Sequence, residues 1–323
     1  MGAKPSNLTI LGIAKEPSFG TPATATAFIA TTGAPTSKDE IKLVEDKGLR
    51  GAMVEVFGEV QTLKSSTVDF AGDVFPDTIG WVAVGVLGDL VSTGSGAPYT
   101  HSIAVYNSND GQPPSYTLTD CYVVNTRQYP GAKFSELGIK FSADGLLTYT
   151  AKAMGLASIP TTVPTASYSS VPPVASWTGS VSIGGTAVQT VMDGDLTIKR
   201  NVTVVGTVDG SQSPHALWSG PVGASGKFTL VMEDETQLVN YLTNTQPSLD
   251  INFTSGTGAA LTQVRFHMSQ VAYTVADIGR GKDYVELAVS YTAIANATDI
   301  GASAGYSPIK MTLQNAIAAG TYK

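Results

Sequence analysis

At 323 residues the chain is long enough for two domains of ordinary size, each with its own hydrophobic core. Charged residues make up only 14% of it, against about 25% in ordinary soluble domains, which indicates a surface covered by partner subunits. The formal net charge of −7 argues against a protein that grips nucleic acid phosphates, and the single Cys121 excludes an intrachain disulfide. A monomeric β protein rich in Thr and Ser is the alternative that composition leaves open.

Charge is concentrated in an early segment that reads as irregular, from Thr31 to Gly51. One interpretation is a solvated loop. The other is a charged arm, at about residues 31–56, that docks on a neighbouring subunit through paired charges. Its candidate contact residues are Lys38, Lys42, Lys47 and Arg50.

Most of the chain reads as short strands separated by Gly, Pro, Asn and Asp, and two segments read as helices. The first is Pro76–Leu87, which opens on Pro and Asp but contains glycines. The second is Glu233–Leu242, whose acidic first turn suits the positive end of a helix dipole. The chain is therefore expected to be all-β, mainly strand with one short helix in each of two domains.

Each predicted helix follows a strand and precedes a strand, a Gly-containing loop and another strand. In addition, Phe134–Ala143 aligns without a gap on Tyr284–Ala293, at a shift of 150 residues. These observations predict two β-sandwich domains in tandem, related by internal duplication. A linker rich in Pro, Ser and Thr at 158–176 separates a first domain, 1–157, from a second, 177–323.

The second domain ends in an extension from Gly301 to Lys323. Ile309, Met311 and Leu313 alternate in it as in a strand, so it is expected to be ordered and to pair with a sheet edge.

No catalytic constellation is apparent, because no nucleophile elbow, phosphate-binding loop or metalloprotease helix occurs in a supporting context. Asp193-Gly194-Asp195 reads as a turn and Glu233-Asp234-Glu235 as a helix start rather than as cation sites. We expect no enzyme activity, no cofactor and no metal. No segment reaches the roughly 18 consecutive apolar residues of a membrane helix, so no membrane partner is expected.

Seven short motifs spread over nearly the whole chain resemble the major tail tube proteins of long-tailed bacteriophages, particularly phages of actinobacteria. They are Gly12–Glu16, Asp46–Gly51, Gly72–Asp77, Arg127–Ala132, Val208–Gln212, Asn244–Pro247 and Gly305–Lys310.

The resemblance implies a structural virion protein whose rings stack into a hollow tail tube, through which phage DNA passes without specific binding. It implies domains built as β-sandwiches, inner sheets that join between subunits, and tape-measure and tail terminator proteins as further partners. The protein would lie in the virion tail, and in the host cytoplasm during assembly. Because rings in this family commonly hold six domains, a duplicated chain predicts a trimeric, pseudo-sixfold ring; a hexameric ring with an outer second half is the alternative.

Three other readings compete with the tail tube. A capsid decoration or adhesin-type β protein would bind a lattice or a host surface without forming tubes on its own. A carbohydrate-binding module would present aromatic side chains, for which Trp81, Trp177 and Trp218 are the candidates. An enzyme with catalytic groups scattered along the sequence is the third.

Overall fold

The computed structural model describes residues 5–122 and 124–323. They fold into two large antiparallel sheets and two α-helices around one hydrophobic core, which draws side chains from both halves of the chain. The all-β prediction is thus confirmed. The strands, in chain order, are β1 (Ile10–Lys15), β2 (Ala27–Ile29), β3 (Thr36–Asp46), β4 (Gly58–Asp73), β5 (Gly88–Thr93), β6 (Tyr99–Val105), β7 (Tyr116–Tyr122), β8 (Asn125–Ser142), β9 (Thr148–Leu156), β10 (Ile159–Pro160), β11 (Gly179–Ile183), β12 (Thr186–Val188), β13 (Val191–Val205), β14 (Ala216–Val231), β15 (Leu249–Ser255), β16 (Thr262–Met268), β17 (Val271–Gly279), β18 (Glu286–Ala293) and β19 (Lys310–Asn315).

The two helices are α1 (Ile79–Leu87) and α2 (Thr236–Leu242), each within its predicted segment. Every residue of α1 is buried. Its glycines allow this, because a Cβ on Gly80 would lie 2.5 Å from the Tyr322 ring and one on Gly85 would lie 2.2 Å from the Phe134 ring. The residues that weakened the helix prediction are therefore the ones that let the helix enter the core.

The larger sheet contains a continuous path in the order β3-β4-β9-β8-β13-β14-β18-β17. Its first four strands come from the first half of the chain and its last four from the second; we call them the first unit and the second unit. The N-terminal part of β8 leaves this path to pair with β7, and β1 and β2 continue from there. The only strand pairing between the two units, in the part of the chain that the structure describes, is β8 with β13.

The long hairpins of the two units share one register. Ten residue pairs join β3 to β4. Adding 159 to the residue number on β3 and 158 to the number on β4 converts each of them into a pair of β13 with β14, so that Thr36↔Asp69 corresponds to Asp195↔Lys227. The register shift recurs as well. It lies between Ile41 and Leu43 in β3 and at the corresponding place in β13.

The other two strands of each unit repeat in the same way. Adding 139 to the residue number on β8 and 138 to the number on β9 converts their pairs into pairs of β17 with β18, so that Glu136↔Lys152 corresponds to Val275↔Ser290. The pairing of β4 with β9 likewise recurs as that of β14 with β18. A bulge after Phe134 in β8 has its counterpart after Tyr273 in β17. Position by position, then, the second unit repeats the pairing of the first.

The ten-residue match found in the sequence does not reflect this correspondence. It places β8 on β18, whereas the registers place β8 on β17 and β9 on β18. Interior strands share a period-2 alternation of buried apolar residues, which Leu137 and Ile139 show as clearly as Leu287 and Val289. Such segments match one another whatever their place in the sheet.

The second sheet runs in the order β12-β11-β15-β16-β19-β6-β5. The C-terminal strand β19 lies between β16 and β6 and pairs with both, which confirms the prediction of an ordered tail. Met311 and Leu313 are fully buried in it. Both sheets thus pass from one half of the chain to the other. The domain limits at 157 and 177 stay a prediction.

None of the helices described is long and apolar enough to cross a membrane. Among residues 5–122 and 124–323, no group of three or more His, Cys, Asp or Glu side chains is placed to hold a metal ion. Asp195 instead forms a cross-strand ion pair with Lys227, and Asp234 accepts a hydrogen bond from the backbone of Thr236 at the start of α2.

Candidate assembly interface

The predicted charged arm is a β-hairpin, formed by β3, the N-terminal part of β4 and a tip at residues 47–57. The reading of this segment as irregular was wrong. Ile41, Leu43 and Val44 are apolar but exposed, so the strand buries no single face and shows no period-2 pattern.

The structure places the four candidate contact residues along this hairpin. Lys38 and Lys42 lie on β3, and Lys38 comes within 3.9 Å of Glu40. Lys47 and Arg50 lie in the tip. Lys47 forms ion pairs with Glu45 at 2.8 Å and Glu55 at 3.0 Å, and Arg50 pairs with Asp46 and stacks over the Phe57 ring. The two tip cations therefore already have partners within the hairpin.

Apolar side chains, rather than charges, are the unusual feature of the hairpin. Leu49 and Met53 are 102% and 106% exposed, and Val54 and Val60 are also exposed. All four side chains lie between residues 49 and 60 of one hairpin, and apolar side chains that are exposed close together on a protein mark a candidate site of interaction. The sequence analysis predicted contact residues in this segment from its charges alone and did not identify its apolar residues as candidates.

Two sheet edges are open at the ends of the eight-strand path. In the described residues β3 pairs with β4 alone, and β17 pairs with β18 alone. An edge strand presents unpaired backbone N–H and C=O groups, which are a template for pairing with another chain. Val275 and Ile278 on β17 are exposed, as is much of β3. The chain thus has one open edge at each end of its repeated units.

The solvent-facing side of the path carries charges of both signs in cross-strand pairs. Glu136 on β8 lies 3.3 Å from Lys152 on β9 and 3.7 Å from Lys199 on β13. Asp195 and Lys227 form a similar pair at 3.9 Å. Lysines that pair with carboxylates are less available to neutralise phosphates, so this face is poorly suited to hold nucleic acid tightly.

Two buried cations lie where the two units meet. Arg200 on β13 donates to the carbonyls of Val86 at 3.1 Å, Gly111 at 2.5 Å and Gly220 at 2.8 Å, and so ties the end of α1 to the second unit. Lys133 on β8 donates to the carbonyl of Pro113. Burial, reinforced by the positive charge of Arg200, lowers the pKa of Lys133 to about 8.

This lowered pKa predicts that stability rises with pH. In the unfolded chain Lys133 keeps its proton up to a pKa near 10.5, whereas the folded protein releases it near 8. The unfolded state therefore holds more protons between these values. The free energy of unfolding should increase by about 2 kcal/mol between pH ~7 and ~9.5. Urea unfolding at the two pH values measures the rise, and Lys133→Met should remove it; an equal rise in the variant would show that another group is responsible.

Comparison with known protein families shows that the family described as phage tail tube protein matches residues 6–293. No curated protein matches the chain. The matched segment includes both repeated units, α1, α2 and the exposed hairpin, so it covers the fold as well as the candidate interface. Because the match extends over most of the sequence, the chain belongs to the phage tail tube protein family, the structural proteins of the virion tail.

Proposed function

We propose that three copies of this chain close into a ring, and that the rings stack into the hollow tube of the phage tail. The observation that carries the proposal is the recurrence of register and bulges between the two units. Independent strands have no reason to share a bulge at the same place in the same sequence of pairings, whereas copies of one ancestral unit do. We therefore infer an internal duplication, in which each chain supplies two equivalent positions of a six-position ring.

The eight-strand path is the part of the chain suited to line the lumen. It contains the repeated units, and its two open edges allow the sheet to continue from copy to copy until the ring closes. Closure of a sheet on itself removes its exposed edges. The mixed, ion-paired charges on its open face would let DNA pass without being held. Tape-measure and terminator proteins are the expected further partners, and assembly in the host cytoplasm is the expected setting.

The hairpin of β3 and β4 is proposed to dock on a neighbouring copy, mainly through its exposed apolar side chains. The corresponding hairpin of the second unit provides a precedent, because its tip already contacts the adjacent unit. Gln212 in that tip accepts a hydrogen bond from the backbone N–H of Lys64 at 2.9 Å and donates to the carbonyl of Gln61 at 3.1 Å. Nothing in the structure favours a capsid decoration or adhesin role.

Assembly of the purified protein tests the proposal. Negative-stain electron microscopy of the protein alone, at rising concentration, should show hollow tubes made of stacked rings. A heat-denatured sample serves as a control for non-specific aggregation, because it lacks the folded interface and should form no tubes. A protein that stays monomeric, with its β-sheet content intact by circular dichroism, would exclude self-assembly as the source of the tube.

A further inference from the structure

We infer that β17 of one copy pairs antiparallel with β3 of the next copy in a single register, with Asp277 directly opposite Lys38. The inference rests on the proposed ring and specifies the residues that close it. It commits the two open edges to one occupant, a second copy of the same chain.

The register follows from the junction that the chain already contains. Inside one copy, β8 of the first unit pairs with β13 of the second, with Gly138 opposite Thr197 and Glu136 opposite Lys199. The corresponding strands at the free ends are β17, at an offset of 139 from β8, and β3, at an offset of 159 from β13.

Applying these offsets converts the internal junction into one between copies. Gly138↔Thr197 becomes Asp277↔Lys38, and Glu136↔Lys199 becomes Val275↔Glu40. The ring would thus repeat one junction throughout, alternately within a chain and between chains.

The faces of the two strands agree with this register. Ile278 pairs with the buried Leu287, and Ser37 pairs with the buried Val68, so Ile278 and Ser37 lie on the side of their sheets that faces the core. They are directly opposite each other in the inferred pairing. Lys38 and Asp277 then lie together on the solvent-facing side. A slip by one residue would set a core-facing side chain against a solvent-facing one, which the alternation of strands disfavours.

Charge also favours this pairing. Opposite charges directly across an antiparallel pair are stabilising, and like charges are destabilising. Among the described residues of one copy, Lys38 forms an ion pair only with Glu40, at 3.9 Å, and Asp277 forms none. Cross-strand charge pairs also occupy the internal junction, where Lys199 meets Glu136.

Paired cysteines test the register. In a Cys121→Ser background, Lys38→Cys with Asp277→Cys sets two thiols on directly opposite residues, whose Cα atoms in an antiparallel pair lie at about 4.5–5.5 Å, within the range of a disulfide. After mild oxidation of assembled protein, non-reducing electrophoresis should show loss of the monomer band and covalent species that end at the trimer. Glu40→Cys with Val275→Cys, a second opposite pair, should give the same ladder.

Two mismatched pairs are the matched controls. Lys38→Cys with Val275→Cys reports a slip of two residues, and Lys38→Cys with Ala276→Cys sets the thiols on opposite faces; neither should cross-link. Tubes that form without any link between the opposite pairs, or that link only in the slipped pair, would overturn the register while leaving the tube function intact. Failure of the unsubstituted protein to form tubes would count against the tube proposal instead.

If the cysteine variants do not assemble, charge reversal tests the same pairing of Lys38 with Asp277. Lys38→Asp and Asp277→Lys should each reduce tube formation, and the two together should restore it, because the reversed charges attract again. A double variant no better than the singles would overturn the direct opposition of Lys38 and Asp277.

Discussion

Replacing Tyr322 by alanine is expected to lower the free energy of unfolding by about 4 kcal/mol, because it empties a large buried site. Tyr322 is fully buried although it is the penultimate residue. Its ring packs edge-on against Trp81 at 5.7 Å and His101 at 5.1 Å. Its hydroxyl donates to the carbonyl of Asp77 at 2.8 Å and accepts from Asn315 at 3.0 Å.

The C-terminal segment therefore closes the core from outside the matched family region. It follows β19, which joins the two halves of the second sheet, and its tyrosine fills the space left by Gly80 on α1. Urea unfolding of unassembled protein measures the loss. Tyr322→Phe is the control and should cost only about 1 kcal/mol, since it keeps the ring and removes one hydroxyl. An alanine variant no less stable than the phenylalanine variant would contradict this role.

Replacing Leu49, Met53 and Val54 together by serine is expected to abolish tube formation without lowering the stability of the monomer. All three side chains are exposed in one copy, so the monomer loses no packing. Burial of each against a neighbour would contribute about 1.5–3 kcal/mol, and the contact recurs for every copy in the tube. Light scattering during assembly measures the effect, and urea unfolding checks the monomer.

The matched comparison replaces Lys38, Lys42, Lys47 and Arg50 by alanine. Exposed ion pairs contribute roughly 0–1 kcal/mol each. Lys47 and Arg50 are moreover paired within the tip. This variant should assemble more slowly but still form tubes, with the loss of Lys38 accounting for most of the effect. Normal assembly by the serine variant, or a stronger defect in the alanine variant, would reverse the ranking of apolar and charged contacts.

Local patterns in the sequence predict the fold class, both helices and the C-terminal strand. Alternation at Met311 and Leu313 is a property of a few neighbouring residues, so it is visible before any partner is known. The partners themselves are not visible in this way. β19 pairs with β6, some two hundred residues earlier, and no local feature of either strand specifies the other.

The charges of the segment predicted where the candidate interface lies, but not that the segment is a β-hairpin with exposed apolar side chains. β3 lacks a buried face, so periodicity gave no sign of a strand there. Whether a strand lies at an edge depends on the pairing of the whole sheet, so the open edges of β3 and β17 were not visible in the sequence. The duplication was suggested by the order of elements, while the register that supports it is a property of backbone pairing and not of residue identity.

The number of chains in one ring is the most direct test of the proposal that each chain supplies two ring positions. An electron cryomicroscopy reconstruction of the assembled tube, computed without imposed rotational symmetry, counts them. The expected result is three chains per ring, with threefold symmetry and six similar four-stranded units around the lumen. A ring of six full-length chains, with the second unit outside the lumen wall, would contradict it.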